Sequence, residues 1–522
     1  MADTTTYTGA DALCDTLLAG GVDVCFANPG TSEMHFVAAL DRKPAMRCIL
    51  GLSEGVVTGA ADGYARMADK PAVTLLHCGP GLANGLANLH NARRARSPIV
   101  NVVGDHATFH RAYDAPLTSD IEGLARPMSQ WVRSTDSAAA VAGDAADAIQ
   151  AARTAPGQIA TLILPADAAW SETAPVAPPV LAPPAPVAVS TDAVAEAVAA
   201  NRSGRRTVLL MTGRALRAEA LATADRIAQA TGVRLLAQQS NNRVERGAGR
   251  VAVNRVPYPL DMAIATFRDV EQLILVGAKS PVAFFAYPGR PSTPLPEGCR
   301  VLTLAEPGDD LPGALLALAE ALGVGPGVQP TLQPLDRPAL PTGSLTADSV
   351  VAAVGALMPE GAILCDEALT SGGRLFDLTR GAPAHDFLAL TGGSIGIGLP
   401  LALGAAVACP DRKVIGLQAD GSGMYTAQAL WTYARENLDI VTVVFANRSY
   451  AILRGEYRSV GAGEPGTNAK RLFDLVEPTI NWVGLANSLG VEAARVDTAE
   501  AFADRLKAAV GRRGPFLIEA VI

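Results

Sequence analysis

Two patterns of apolar and polar positions alternate along the chain, and each predicts one type of element. Short apolar, β-branched runs such as PAVTLL and VTVVFA are typical of strands that are buried on both faces of a parallel sheet. A glycine-rich turn and then a stretch with helical spacing of apolar residues follow each run. Because this rhythm recurs in three parts of the chain, we predict an α/β protein of three doubly wound, Rossmann-like parallel-sheet domains.

Two proline-rich segments separate these three parts. They read ETAPVAPPVLAPPAPVAVS and GPGVQPTLQPLDRPALPTGS. Proline is excluded from helix interiors and central strands, so both segments are predicted to be extended linkers. The predicted domains are residues 1–171, 191–324 and 345–522, with linkers at 172–190 and 325–344.

Composition excludes several classes of protein. Of the 522 residues, 49% are hydrophobic and 18% are charged, and the net charge is −8, which argues against disorder and against a basic nucleic-acid-binding surface. The seven cysteines form no CxxC pair, so no zinc site or disulfide framework is indicated. The longest apolar stretch is well short of the roughly 20 residues of a membrane helix, and the N-terminus lacks the basic start of a signal peptide. We expect a cytoplasmic protein without nucleic-acid or membrane partners.

The segment ADGSGMYTAQALWTYARENLDIVTVVFANRSY carries the most informative chemistry. Asp420 follows one apolar run and Asn447 ends the next, a separation of 447 − 420 = 27 residues that fits one strand–helix–strand crossover. The two side chains should therefore meet at the carboxyl ends of neighbouring strands. Hard oxygen ligands of this kind suit Mg²⁺, and the turn Gly421–Gly423 offers backbone N–H groups to a diphosphate. Either residue alone could instead be a helix cap or a strand end, but the ordered pair favours the metal.

This segment resembles the thiamine diphosphate motif, GDG followed by NN, of the benzoylformate decarboxylase and acetolactate synthase family. Ala419 and Ala446 replace the first Gly and the first Asn of that motif, and neither change removes a ligand. The resemblance implies a Mg²⁺ site and a diphosphate site formed by Asp420, Asn447, the carbonyl of Ser449, Gly421 and Ser422.

A second stretch, GSIGIGLPLALG, contains a GxG fragment of a dinucleotide-binding motif. Pro400 follows at once and no ribose-binding acid has the right context, so this signal is weak. In the resembled family the stretch lies beside the rings of the cofactor. The resemblance implies that the carbonyl of Gly393 accepts from the 4′-amino group and that Ile395 is the apolar wedge that bends the cofactor, although Ile395 could be ordinary core. It also assigns to the cofactor Thr370, Tyr450, Ala451 and Ile452.

The first domain contributes a candidate acid, Glu54, in the apolar and small-residue setting GLSEGVV. Removal from water raises the pKa of a carboxyl and lets it share a proton with a ring nitrogen. The segments FANPGTSEMHF and GLSEGVVTGAADGYARM resemble the pyrimidine-binding domain of the same family. This resemblance implies that Glu54 contacts the aminopyrimidine N1′ and promotes activation of the thiazolium carbon. The alternative is a glutamate that is favoured only by the helix macrodipole.

Histidines distinguish the two branches of the resembled family. His77 ends the run PAVTLL, where such sheets concentrate functional groups. The segment around it resembles benzoylformate decarboxylase, in which a histidine at this point handles protons, whereas acetolactate synthases usually lack it. Thr31 matches a serine of that enzyme that contacts the substrate carboxylate. His106 and His110 lie in a loop where pyruvate decarboxylases carry paired histidines, and their role is left open.

The central domain resembles the one that binds FAD in acetolactate synthases, but the sequence indicates no FAD site. GAKSPVAFFAYPGR replaces the Arg-rich motif of those synthases. The second catalytic histidine of benzoylformate decarboxylase also maps here, where this chain offers Phe284, Phe285 and Tyr287. Further along, Arg454 and Glu456 could recognise a polar substrate or could simply be solvated.

We expect a thiamine diphosphate- and Mg²⁺-dependent enzyme that decarboxylates a 2-oxo acid and can pass the acyl fragment to another carbonyl. The alternative within the family is an acetolactate synthase-like carboligase acting on pyruvate. More remote are a cofactor-binding paralogue without turnover and a nicotinamide oxidoreductase. Since the acid and the diphosphate site come from different subunits in this family, the resemblance implies at least a homodimer, and tetramers are common among relatives.

Overall fold

The computed structural model describes residues 6–522 and contains three α/β regions, which confirms the predicted class. The first region has a six-stranded, fully parallel sheet in the order β2-β1-β3-β4-β6-β5. Its strands are β1 Val24–Asn28, β2 Arg47–Leu50, β3 Ala72–Leu76, β4 Ile99–Asp105, β5 Trp131–Ser134 and β6 Ile159–Pro165. Its helices are α1 Gly9–Ala19, α2 Met34–Asp41, α3 Glu54–Ala68, α4 Cys78–Ala95, α5 Ile121–Ala125, α6 Val141–Arg153 and α7 Ala166–Trp170.

The second region has a five-stranded parallel sheet in the order β10-β8-β7-β11-β12. Its strands are β7 Thr207–Met211, β8 Arg234–Ala237, β10 Asn254–Arg255, β11 Gln272–Val276 and β12 Arg300–Ala305. Its helices are α8 Thr191–Arg202, α9 Ala218–Thr231, α10 Leu260–Phe267 and α11 Leu311–Leu322. One short strand of this part of the chain, β9 Val244–Arg246, leaves the region and joins the third sheet.

The third region has a seven-stranded sheet in the order β17-β18-β16-β15-β13-β14-β9. The strands are β13 Ile363–Glu367, β14 His385–Ala389, β15 Val414–Ala419, β16 Ile440–Ala446, β17 Glu492–Val496 and β18 Phe516–Val521. The helices are α12 Ala347–Leu357, α13 Leu375–Leu378, α14 Gly398–Ala408, α15 Asp420–Gly423, α16 Ala429–Arg435, α17 Ala451–Ser459, α18 Thr467–Phe473, α19 Trp482–Ser488 and α20 Ala499–Val510. Four 3₁₀ helices complete the described elements: Thr31–Glu33, Arg111–Tyr113, Gly213–Leu216 and Leu369–Gly372.

Two details differ from the sequence expectation. The third sheet is not purely parallel, because β9 pairs antiparallel with β14 and covers its edge. The helix expected after Asp420 is two short helices, α15 and α16, separated by residues 424–428. The break places the exposed side chains of Met424 and Tyr425 next to the glycine-rich turn.

Close packing between α3 and α14 joins the first region to the third. A Cβ atom on Gly404 would overlap the backbone oxygen of Ala60, and one on Gly63 would overlap that of Leu401. Only glycine lets the two helices approach this closely. The contact holds the loop that precedes α14 against the first region, which matters for the candidate site. No helix within residues 6–522 combines the length and apolar character that crossing a membrane requires.

Candidate active site

Asp420 and the loop after Asn447 meet at the carboxyl ends of two neighbouring strands. Strands β15 and β16 are paired in parallel, with Ala419 opposite Phe445. The backbone N–H of Arg448 donates to Asp420 Oδ2 at 2.6 Å, and that of Gly421 donates to Oδ1 at 2.8 Å. The ends of the two strands are therefore adjacent, as the strand–helix–strand crossover requires, and the meeting of the Asp420 and Asn447 side chains stays a prediction.

The environment of Asp420 fits a bound cation. The residue is 3% exposed, and burial raises the pKa of its carboxyl although hydrogen bonds from backbone N–H groups oppose this. Within residues 6–522, no Lys, Arg or His lies within ion-pair distance of it. A buried carboxylate without a cationic side chain is costly, and a divalent ion removes that cost. The amide oxygen of Asn447 and the carbonyl of Ser449 belong to the neighbouring loop, and oxygen donors of these kinds are the ligands that Mg²⁺ prefers.

The loop after β16 is held in a specific conformation. Arg448 has a positive φ of 56°, uncommon for a residue other than glycine. Ser449 donates its backbone N–H to Asn447 Oδ1 at 3.0 Å, and Tyr450 donates its own to the carbonyl of Phe473 at 2.8 Å. The ring of Tyr450 lies on Gly421, where a Cβ would be 2.5 Å from it. Ala451 and Ile452 follow in the first turn of α17, half-buried.

A buried glutamate, Glu367, supports the glycine-rich loop before α14. Its two carboxylate oxygens accept the backbone N–H groups of Gly396 at 2.5 Å and Gly398 at 2.6 Å, and Gln418 donates to it at 3.1 Å. Burial raises the pKa of Glu367 to about 7, while these hydrogen bonds act in the opposite direction. The loop conformation that presents Ile395 therefore depends on one acid at the end of β13.

The loop itself leaves Gly393 and Ile395 accessible. Ile395 is half-buried and does not belong to the packed core, which leaves its side chain available for a ligand. Gly393 has a positive φ of 79°, and a Cβ there would lie 2.6 Å from the Phe284 ring. Thr370 is exposed in the 3₁₀ helix that follows β13. Phe284 thus brings an aromatic ring of the second region to the position where the sequence predicts the cofactor.

The first region presents its own candidates at the carboxyl ends of β2, β1 and β3. Glu54 begins α3, is half-buried, and accepts from Asn84 Nδ2 at 3.2 Å. A Cβ on Gly81 would lie 3.3 Å from Glu54 Oε1 and 3.4 Å from His77 Cβ, so the acid and the histidine flank the same turn. Thr31 is exposed in the 3₁₀ helix after β1. Three adjacent strands thus bring the predicted groups together.

Side-chain amides of α4 connect these two sets of residues within one chain. Asn91 donates to the carbonyl of Ser394 at 2.7 Å and accepts the backbone N–H of Gly392 at 3.1 Å. Asn88 donates to the carbonyl of Gly55 in the first region at 2.7 Å and, at the longer distance of 3.5 Å, to the carbonyl of Gly396 in the loop. The loop that carries Gly393 and Ile395 is therefore anchored to the first region.

Four other residues singled out from the sequence lie around this centre. The rings of His106 and His110 lie in tilted contact on the loop after β4, with centroids 5.5 Å apart. Glu456 of α17 is not simply solvated, since it accepts from Tyr258 at 3.0 Å and from Tyr287 at 2.8 Å, both of the second region. Arg454 pairs with Asp474. These contacts fasten α17 beside the loop that carries Phe284.

Two buried acids, Glu33 and Glu367, were missed by sequence reasoning. Glu33 is 1% exposed and its Oε2 lies 2.9 Å from His77 Nδ1. It lies inside the segment NPGTSE, three residues after Gly30, but its partner is 44 residues away. Glu367 ends an apolar run of the sequence. An acidic residue on a strand predicted to be buried is unusual, and this could have indicated a structural or functional role.

Comparisons with known proteins identify the family of this chain. Residues 7–124 match the thiamine pyrophosphate enzyme N-terminal TPP binding domain, and residues 373–520 match the C-terminal TPP binding domain. A Mycobacterium tuberculosis protein provisionally named acetolactate synthase large subunit IlvX is 55% identical over 515 residues, covering 98% of this chain and 99% of that protein. Benzoylformate decarboxylase of Pseudomonas aeruginosa is 29% identical over 518 residues, covering 96% of each. The solved thiamine diphosphate-dependent 4-hydroxybenzoylformate decarboxylase of Rhodococcus jostii RHA1 superposes with a TM-score of 0.84 at 25% identity, covering 98% of both chains.

The raised pKa of Glu367 makes stability depend on pH. The pKa rises from an ordinary 4.5 to about 7 on folding, so the group disfavours the folded state increasingly between these values. The protonated group therefore contributes roughly 3 kcal/mol to the free energy of unfolding below pH 4.5, and this contribution is lost as the pH rises to about 7. We expect Glu367→Gln to flatten the fall in unfolding free energy over this range, measured by denaturation of cofactor-free protein at several pH values. Parallel curves for the parent and the variant would contradict the assignment.

Proposed function

The chain belongs to the thiamine pyrophosphate enzymes of the decarboxylase and acetolactate synthase type, and we propose that it is a Mg²⁺-dependent 2-oxo acid decarboxylase that also has carboligase activity. Thiamine pyrophosphate is the same cofactor as thiamine diphosphate. The observation that carries the decarboxylase assignment is His77, which lies beside Glu54 and is held by a buried carboxylate. A histidine in that position can supply the proton that replaces the departing CO₂.

The third region would hold the charged end of the cofactor. Asp420, Asn447 and the Ser449 carbonyl would bind Mg²⁺, while the backbone of Gly421 and Ser422 would donate to the diphosphate. When bound, thiamine diphosphate supplies the nucleophilic carbon and the electron sink for decarboxylation. The wedge side chain of Ile395 and the carbonyl of Gly393 would orient its rings, with the loop fixed from beneath by Glu367.

The first region would manage protons and the substrate carboxylate. Glu54 would exchange a proton with the aminopyrimidine nitrogen, and Thr31 would donate to the substrate carboxylate. His77 would deliver a proton to the carbon that has lost CO₂. Since the family pairs this acid with the diphosphate site of a second subunit, the proposal includes a homodimer at least, and a tetramer by analogy with relatives.

An acetolactate synthase-like carboligase is the second candidate. The 55% identical relative carries that name, which favours this reading on overall similarity. Two local features weigh against it. His77 occupies the position where such synthases usually lack a histidine, and Phe284 and Phe285 stand in the segment that replaces their Arg-rich FAD motif. FAD is accordingly not part of the proposal.

Product analysis separates the two candidates. Protein loaded with thiamine diphosphate and Mg²⁺ is incubated with pyruvate or benzoylformate, and CO₂, aldehyde, acetolactate and acyloin are quantified. We expect CO₂ and aldehyde as main products, with acyloin when an aldehyde acceptor is added. Acetolactate as the dominant product from pyruvate would instead establish the second candidate.

Glu54→Gln tests the acid of the first region. The variant keeps the size and the hydrogen bond from Asn84, but it cannot exchange a proton, so we expect a loss of at least about 100-fold in kcat with retained cofactor binding. Glu320→Gln, exposed on α11, is the matched control and should keep the parent rate. Undiminished activity of Glu54→Gln would remove this residue from the reaction.

A further inference from the structure

His77 is confined to one ring position by a glycine. The residue follows β3 directly, and its side chain is 24% exposed. A Cβ atom on Gly30 would overlap the imidazole ring, so the ring lies flat against the backbone of the loop after β1. The loops at the ends of β1 and β3 therefore fix the position of the ring between them.

The carboxylate of Glu33 occupies the inner side of that ring. Its side chain is fully buried, and its oxygens lie 2.9 and 3.2 Å from His77 Nδ1. It also accepts the backbone N–H of Gly30 at 2.7 Å and the hydroxyl of Ser32 at 2.5 Å. A Cβ on Gly104 would overlap this carboxylate, so the chain leaves room for it on β4 as well. A carboxylate has no hydrogen to donate, so its short contact with Nδ1 requires Nδ1 to be the donor.

In the described part of the chain, no Lys or Arg side chain competes with His77 for the Glu33 carboxylate. Within residues 6–522, His77 is the only basic side chain at ion-pair distance from Glu33. A buried carboxylate is stabilised by every donor that it can recruit, so proton loss from Nδ1 would leave it facing a lone pair.

Ser32 explains why this cluster is a hydrogen-bond network and not a metal site. Glu33, His77 and Cys78 direct potential ligand atoms to one point, all within 4.8 Å of one another. The hydroxyl oxygen of Ser32 already lies among them, 2.5 Å from Glu33 Oε1, 3.2 Å from His77 Nδ1 and 3.0 Å from Cys78 Sγ. A metal ion at this point would have to displace the Ser32 hydroxyl, whereas hydrogen bonds among Glu33, Ser32 and His77 need no rearrangement.

We propose that Glu33 is a positioning residue that keeps neutral His77 in the Nδ1–H form, so that Nε2 is the nitrogen that gives and takes protons in the active site. A carboxylate behind an imidazole fixes its tautomer and its orientation in this way. The catalytic consequence rests on the proposed function, whereas the tautomer does not depend on it.

Nitrogen-15 NMR of histidine-labelled protein tests the tautomer without any assay of turnover. The chain has six histidines, and loss of one signal in His77→Gln assigns the residue. We expect Nδ1 of neutral His77 to be protonated in the parent, and the proton to be shared between both nitrogens in Glu33→Gln. A proton on Nε2 in the parent, or an unchanged pattern in the variant, would overturn the proposal.

Kinetics tests the consequence. Glu33→Gln should lower kcat at least about 10-fold with little change in KM. A proton on the wrong nitrogen of His77 prevents the ring from transferring protons, but no contact with the substrate is removed. The double variant His77→Ala/Glu33→Gln should be no slower than His77→Ala alone, since Glu33 acts only through the ring. Glu33→Asp should recover part of the loss.

A control separates positioning from general destabilisation. Asp225→Asn removes another buried carboxylate, which lies in the second region and accepts the backbone N–H of Thr331 at 2.6 Å. Any loss of kcat that this variant causes should add to the loss caused by His77→Ala. Additive losses for Glu33→Gln would assign it a structural role only and overturn the proposal. If the parent itself decarboxylates no 2-oxo acid, the proposed function fails while the NMR result still decides the tautomer.

Discussion

The site is organised around a buried carboxylate that no cationic side chain among residues 6–522 neutralises. Asp420 is turned inward at the end of β15, and the backbone N–H groups of Gly421 and Arg448 are its partners. Such an arrangement is unfavourable by itself and becomes favourable when a divalent ion is present. The positive φ of Arg448, the hydrogen bond from Ser449 to Asn447 and the packing of Tyr450 on Gly421 hold the loop after β16 in one conformation beside Asp420.

Parallel sheets explain why the other groups converge. In both outer regions the functional side chains follow adjacent strands, and the carboxyl ends of those strands share one edge. The glycine-mediated contact of α3 with α14, together with the bonds from Asn88 to Gly396 and from Asn91 to Ser394, then links the two edges in one chain. Two buried acids hold these groups in place. Glu367 accepts hydrogen bonds from the loop that carries Ile395, and Glu33 contacts the ring of His77.

The sequence predicted those features that depend on local order along the chain. The adjacency of the strands that end near Asp420 and Asn447 was predictable because one crossover determines which strands are neighbours. The position of His77 was predictable because it directly follows an apolar strand. The roles of Glu33 and Glu367 were not, since each depends on contacts with residues 29 or more positions away that no local pattern encodes. The antiparallel pairing of β9 was not predicted for the same reason, because its partner strand lies in another region of the chain.

Calorimetric titration of thiamine diphosphate is the most direct test of the cation site. The account predicts binding in the presence of Mg²⁺, loss of binding in the presence of EDTA, and an affinity at least about 10-fold weaker for Asp420→Asn, with Asp225→Asn as the matched buried-carboxylate control. Absence of binding heat with Mg²⁺, or equal affinities for the parent and Asp420→Asn, would contradict the claim that this carboxylate is the centre of the site.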